Sequence, residues 1–172
     1  MMDFSSFKKL TIGGIELKQL FINGIQVWKG VSYKNWIPNS VDASGNIYNG
    51  NGFKANTYIN NGNEGTSNGK YATGYIPCKI GDVIRFKNMT FTATNASRIT
   101  FFDEDKKYIS QCNGNSSYNM DTKFQGVKDS DGNYIQLNIV AVAGITAGAQ
   151  WIRIHCPSIT TDSIITINEE ID

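Results

Sequence analysis

Charge is what this sequence has least of. Of its 172 residues only 18% are Asp, Glu, Lys or Arg, against about a quarter in ordinary soluble domains, and the formal net charge is +1. The pairs Lys8-Lys9 and Lys106-Lys107 stand alone and form no basic stripe, which excludes nucleic-acid binding driven by charge. Long apolar runs are missing too. None approaches the roughly 20 residues that cross a bilayer, so no membrane insertion is expected. The opening Met-Met-Asp-Phe-Ser-Ser-Phe-Lys-Lys lacks the apolar core of a signal peptide, and synthesis in a cytoplasm as a soluble protein is expected. Cysteine is scarce and odd in number. Cys78, Cys112 and Cys156 include no CxxC and no histidine at ligand spacing, which argues for buried reduced thiols and against a structural metal or a disulfide framework.

Polarity comes instead from Asn, Ser, Thr and Gly. Short polar side chains compete with the backbone for hydrogen bonds, so this composition favours strands and turns over helices. Residues 8–29 hold a small repeat, with Ile12-Gly13-Gly14-Ile15 echoed ten residues later by Ile22-Asn23-Gly24-Ile25. Gly-Gly and Asn-Gly readily take positive φ at both central positions of a two-residue hairpin loop. The segment therefore predicts a three-stranded meander: 8–12, 15–22 and 25–29. It is too small to bury its own apolar side chains. Leu10, Leu17, Leu20, Phe21, Val27 and Trp28 need another surface, either the main domain or, as is expected here, an interface with a second copy or another protein. Residues 1–30 are thus read as a meander for attachment or oligomerisation, and 31–172 as the main domain.

Residues 39–69 are rich in Asn and Gly, with Tyr48, Phe53, Tyr58 and Ile59 among them. A structureless loop of that length is unusual inside a domain, so one or two short strands are expected, with 53–59 the best candidate. From Gly74 onward the strands are clearer: 75–78 as an extended edge, 83–92, and 98–102. A hairpin with the charged tip Asp103-Glu104-Asp105 returns through Tyr108-Ile109-Ser110. Residues 134–142 read as a strand with Ile135, Leu137 and Ile139 on one side and Tyr134, Gln136 and Asn138 on the other. Residues 163–168 close the chain. Many short strands with Gly/Asn turns and no helical period predict an all-β, jelly-roll-like antiparallel sandwich.

One stretch organises the rest, Trp151-Ile152-Arg153-Ile154-His155-Cys156. Strict alternation puts Ile152, Ile154 and Cys156 on a core face and Trp151, Arg153 and His155 on the opposite one. The chain's only histidine therefore shares a strand face with a tryptophan and an arginine. A flat aromatic can stack on a sugar ring while Arg and His donate to its hydroxyls. Trp151, Arg153 and His155 are accordingly candidate ligand residues, against the competing reading that Trp151 fills a second layer of the sandwich. Trp36, Tyr48 and Tyr58, in or beside the Asn-rich region, are the other candidate platforms.

Catalytic chemistry has little to stand on. Consecutive acids on a hairpin tip do not provide two carboxylates held across a cleft. His155 has neither a Gly-x-Ser-x-Gly nucleophile nor a His-Glu-x-x-His metal pair around it. Asp129-Ser130-Asp131-Gly132-Asn133 has acidic oxygens on alternate residues, as a calcium loop does. It lacks the later glutamate and flanking helices, so an ordinary Asp-Gly hairpin is expected. No cofactor and no metal are expected.

Three stretches together carry a resemblance: Tyr75-Ile76-Pro77-Cys78-Lys79-Ile80-Gly81-Asp82-Val83-Ile84, Ile99 through Ile109, and Asp162 through Glu169. They resemble β-sandwich domains in tail, baseplate and fibre proteins of bacteriophages and prophages. The segment 10–29 is also similar to the short amino-terminal part of many phage structural proteins. The resemblance implies a non-enzymatic virion component similar to carbohydrate-binding modules. Such a protein would assemble with other virion proteins, form homo-oligomers such as trimers, and meet host cell-surface polysaccharide. The alternatives are a polysaccharide-acting enzyme, a free carbohydrate-binding module, or a head-decoration protein.

Overall fold

Asparagine and glycine set the breaks between strands. Among the described residues, five of the seven non-glycine positions at positive φ are asparagines: Asn49, Asn56, Asn61, Asn88 and Asn168. Asn tolerates the left-handed region better than other residues with a Cβ, because its short amide bonds locally to the backbone. The computed structural model describes the backbone of 10–12, 15–17, 19–22 and 25–29, and then residues 33–92, 94–113 and 119–171. The chain divides into two units, residues 1–34 and Asn35–Ile171.

The first unit contains two successive antiparallel hairpins. Strand β1 (Leu10–Ile12) pairs with β2 (Ile15–Leu17), and β3 (Gln19–Ile22) pairs with β4 (Ile25–Lys29). The expected single strand over 15–22 is therefore two strands in separate two-stranded sheets, and the three-stranded meander is corrected to a pair of hairpins. The sequence spacing fits the break: Leu17 and Leu20, three apart, could not share a face of one unbroken strand. The expected interface side chains of Leu10, Leu17, Leu20, Phe21, Val27 and Trp28 lie outside the described residues.

The second unit is an all-β sandwich of two antiparallel sheets, as its composition and periodicity predict. Its strands are β5 (Phe53–Asn60), β6 (Asn63–Thr73), β7 (Ile76–Pro77), β8 (Val83–Lys87) and β9 (Arg98–Phe102). They continue with β10 (Tyr108–Asn113), β11 (Gly126–Lys128), β12 (Tyr134–Asn138), β13 (Trp151–Cys156) and β14 (Ile164–Ile167). One sheet runs β10-β9-β13-β6-β5, with β7 also pairing β13, and the other runs β11-β12-β8-β14. The chain crosses between sheets five times: from β7 to β8, β8 to β9, β10 to β11, β12 to β13 and β13 to β14. Strand β7 lies beside β13 and β8 beside β12, so strands that follow one another in sequence stand in different layers.

Between the sheets lies an apolar core that includes Ile84, Phe91, Phe101, Phe124, Tyr134 and Ile154. Phe86 stacks on Phe91 and Phe101 on Phe124, with centroids 4.7 and 5.7 Å apart. The three cysteines are free and buried, and burial pushes each thiol up to about 12. Among the described residues no helix is long and apolar enough to cross a membrane.

Three strand expectations need correction. The long strand over 83–92 stops at Lys87, because Asn88 turns to φ 55. In β12 the pairing steps from Lys128↔Tyr134 to Val127↔Gln136, so Ile135 is the extra residue of a bulge. Tyr134 and Leu137 are therefore both buried while Ile135 is 42% exposed, against the strict alternation expected for that strand. The largest difference is β6. It spans eleven residues, and nothing in Asn63–Lys70 has an apolar side chain to announce it.

A covered strand face and two shallow grooves

Strands β5 and β6 form the longest hairpin, closed by Asn61-Gly62 at φ 47 and 80, the geometry of a type I′ turn. Its pairing jumps from Ala55↔Tyr71 to Thr57↔Thr66, with Asn56 at φ 53. The base of the hairpin continues the sheet, since Ala72 pairs with His155. Beyond the irregularity the hairpin folds back over the outer face of β13 and β9. Ile59, fully buried, sits there with Ala72 and Phe102, and Tyr75 and Trp151 flank them.

Polar ties hold this cover down. The Ile59 N–H donates to His155 Nδ1 at 3.1 Å, and Arg98 Nη1 donates to the Ile59 carbonyl at 3.4 Å and to Asn60 Oδ1 at 2.7 Å. Gln111 accepts from the Asn61 N–H at 2.9 Å and donates to Asn60 Oδ1 at 3.2 Å. One residue pair in from the tip, Glu64 gathers three donors. Oε1 accepts from Tyr48 Oη at 2.6 Å and from Arg153 Nη2 at 2.8 Å, while Lys54 Nζ lies 3.3 Å from Oε2. Arg153 Nε donates to the Thr73 carbonyl at 3.0 Å, and its guanidinium lies over the rings of Tyr48 and Tyr75 at 4.8 and 5.1 Å.

The electrostatics follow from burial. His155, 1% exposed, is pushed down to about 3 by desolvation, with Arg98 and Lys70 adding like charge. It is therefore neutral at pH 7, and because Nδ1 accepts a backbone N–H, the proton sits on Nε2. Burial alone would raise the Glu64 carboxyl. The hydrogen bonds from Tyr48 and Arg153 outweigh it and hold that carboxyl below its usual value. Burial, and then the bond to Glu64, lifts the Tyr48 phenol to about 12.

This arrangement corrects part of the expected ligand face. Trp151, Arg153 and His155 do share the outer face of β13, but Arg153 is 4% exposed and His155 1%. Both are committed to the hairpin, so neither is placed to donate to a sugar hydroxyl. Trp151 is partly buried, with Lys106 Nζ over its ring at 5.1 Å and its Nε1 donating to the Glu104 carbonyl at 3.4 Å. Tyr48 is buried in the Glu64–Arg153 cluster. Tyr58 meets His155 edge-on at 6.3 Å, with Lys70 Nζ 5.6 Å from its ring and Gly65 beneath it. Five of the six candidates thus build one covered layer, and Trp36 stands apart from them.

Trp36 lines a shallow groove of about 350 Å³ together with Pro77, Lys79, Ile167, Asn168 and Glu169. A second groove, about 290 Å³, lies over the other sheet between Arg85, Phe86, Ile135, Gln136, Glu170 and Ile171. The acidic loops serve the fold. Asp129 Oδ1 accepts from the Asp131 and Asn133 N–H groups, capping the β11–β12 turn, and Asp103 Oδ1 does the same for Lys107.

Sequence reasoning missed Glu64, Tyr75, Lys106 and Asp82. Glu64 carried a signal: it is the one acid in the Asn-rich stretch 48–70, while Arg153 is a lone charge in an otherwise apolar strand. Against known proteins, no family model, no curated protein and no solved structure matches this chain.

Proposed function

We propose that this chain is a non-enzymatic structural protein of a bacteriophage or prophage virion, a tail, baseplate or fibre component whose sandwich meets host-surface glycans. The observation that carries the reading is what the buried ionisable side chains do. Glu64, His155 and Tyr48, whose acidities are shifted by their surroundings, and the buried Arg153 are all spent on fastening one hairpin to one strand. What faces outward is a rigid frame with shallow grooves of mixed polarity. The stretches that resemble phage sandwich proteins coincide with that frame: β7 and the start of β8, the β9–β10 hairpin, and β14. The first unit supplies the attachment or oligomerisation element, since two hairpins of three to five residues per strand cannot build a core alone.

Mass spectrometry of purified particles from a host carrying the gene tests the virion role, and absence of the chain from those particles removes it. Sedimentation of the full chain beside one beginning at Val31 tests assembly. Equal oligomeric states would remove the role given to the first unit. Release of reducing ends from any polysaccharide it binds would remove the non-enzymatic half of the reading.

A further inference from the structure

We infer that the groove beside Trp36 is a subsite for a neutral sugar residue, an inference that rests on the glycan-binding reading above and gives it a place and a ligand class. Its apolar surface comes from Trp36, Pro77 and Ile167, the kind of platform on which the C–H face of a pyranose stacks. Its polar edge comes from Lys79, Asn168 and Glu169, which can donate to and accept from ring hydroxyls. The volume, about 350 Å³, lies near the lower end of small-molecule sites and suits one or two rings.

The wall is built and does not need to form on binding. The Trp36 N–H donates to the Ile165 carbonyl at 2.8 Å, and Asn35 Oδ1 accepts from both Ile37 and Ile165, so the tryptophan is clamped to the edge of β14. Asn168, at φ 59, donates its backbone N–H to the Val83 carbonyl at 2.8 Å and accepts from the Val83 N–H at 2.9 Å. Its Nδ2 donates to Asp82 Oδ1 at 2.7 Å, while Asp82 Oδ2 accepts from the Lys79 N–H at 2.8 Å. Such preorganisation lowers the ordering cost that weakens shallow sites.

Charge selects the class. Lining the groove are one ammonium, Lys79, and two carboxylates, Asp82 and Glu169, with Asp82 only 4% exposed. An acidic polymer would bring its anions against those carboxylates, whereas a neutral hexose or N-acylated hexosamine meets no such repulsion.

The test is an array of neutral and acidic bacterial oligosaccharides probed with the full chain and with Trp36→Ala. A second readout uses the full chain carrying Trp28→Phe and Trp151→Phe, which leaves Trp36 as the one indole, titrated with the best neutral array ligand. The expected result is binding confined to neutral glycans, weakened at least about tenfold by Trp36→Ala, with a saturable change in Trp36 emission. If Trp36→Ala does not fold, the emission titration decides. Neutral-glycan binding with Trp36 emission unchanged overturns the subsite and leaves the glycan reading standing. Binding confined to acidic glycans overturns the ligand class. Binding of no glycan overturns the subsite and the glycan reading together.

Discussion

The two faces of β13 are both buried, and they are buried by opposite means. Ile152, Ile154 and Cys156 enter the core between the sheets, where apolar contact stabilises them and the Cys156 thiol adds a bond to the Ser158 carbonyl. Arg153 and His155 lie one residue away on the other face, equally hidden, under a hairpin whose tip is polar. There Arg153 and His155 draw partners from 80 to 96 residues away, Thr73, Glu64 and Ile59, while His155 Nε2 and Arg98 Nε are buried without a hydrogen-bond partner among the described residues. Burial on the first face is nonspecific and forgiving. On the second it is specific, and losing one partner leaves another stranded.

Truncating each face probes the difference. Ile154→Ala removes a fully buried side chain from the core and should cost about 2–5 kcal/mol in urea unfolding, seen as a midpoint moved to lower denaturant with the slope unchanged. Glu64→Gln changes almost no volume but leaves the Arg153 guanidinium, 5% exposed, without its carboxylate. A loss of about 2 kcal/mol is expected, tempered by the partial exposure of Glu64. Adding Arg153→Met to it should restore part of that loss, the non-additivity of a coupled pair. An additive double variant would mean that the two side chains do not depend on each other.

Acid should loosen the polar face first. The folded-state pKa of His155, about 3, lies below its unfolded value of 6.5, so the unfolded chain takes up the proton first as pH falls. The stability contributed by neutral His155 is complete above about pH 6.5 and declines until about pH 3. Glu64 and Asp121 are also held below their usual values, but their contribution is lost only below 4.5 and 3.8 respectively. The interval from pH 7 to 5 therefore belongs to His155, and a loss of about 2 kcal/mol is expected there, absent from His155→Gln. An equal slope in the variant would assign the acid sensitivity elsewhere. The smallest effect belongs to the exposed bulge residue. Ile135→Thr should change stability by no more than about 0.5 kcal/mol, where a buried strand position would have lost several times that.

The same contrast explains what could be read from the amino acids. Apolar periodicity located β9 and β13 to the residue and placed the core face of β13, because transfer of Ile and Phe from water depends on local pattern. It had no purchase on β6, where Asn63, Glu64, Gly65, Thr66, Ser67, Asn68, Gly69 and Lys70 carry no apolar signal. That strand is ordered by its ladder with β5 and by the tie from Glu64 to Arg153. Alternation identified Trp151, Arg153 and His155 as one face, but it says nothing about what lies over a face. The cover comes from a distant Asn-rich segment whose irregularity at Asn56 turns it inward. Trp36 was visible only as an aromatic near a loop, and its groove is assembled from three separate parts of the chain.

The covered face can be tested through its one histidine, since a single imidazole gives an unambiguous spectrum. Long-range ¹H–¹⁵N NMR of the full chain should show a neutral ring protonated on Nε2, with Nδ1 bonded to the Ile59 amide and no titration between pH 7 and 5. A ring that titrates near 6.5 with averaged tautomers would mean that His155 meets water and that the hairpin does not cover the face of β13.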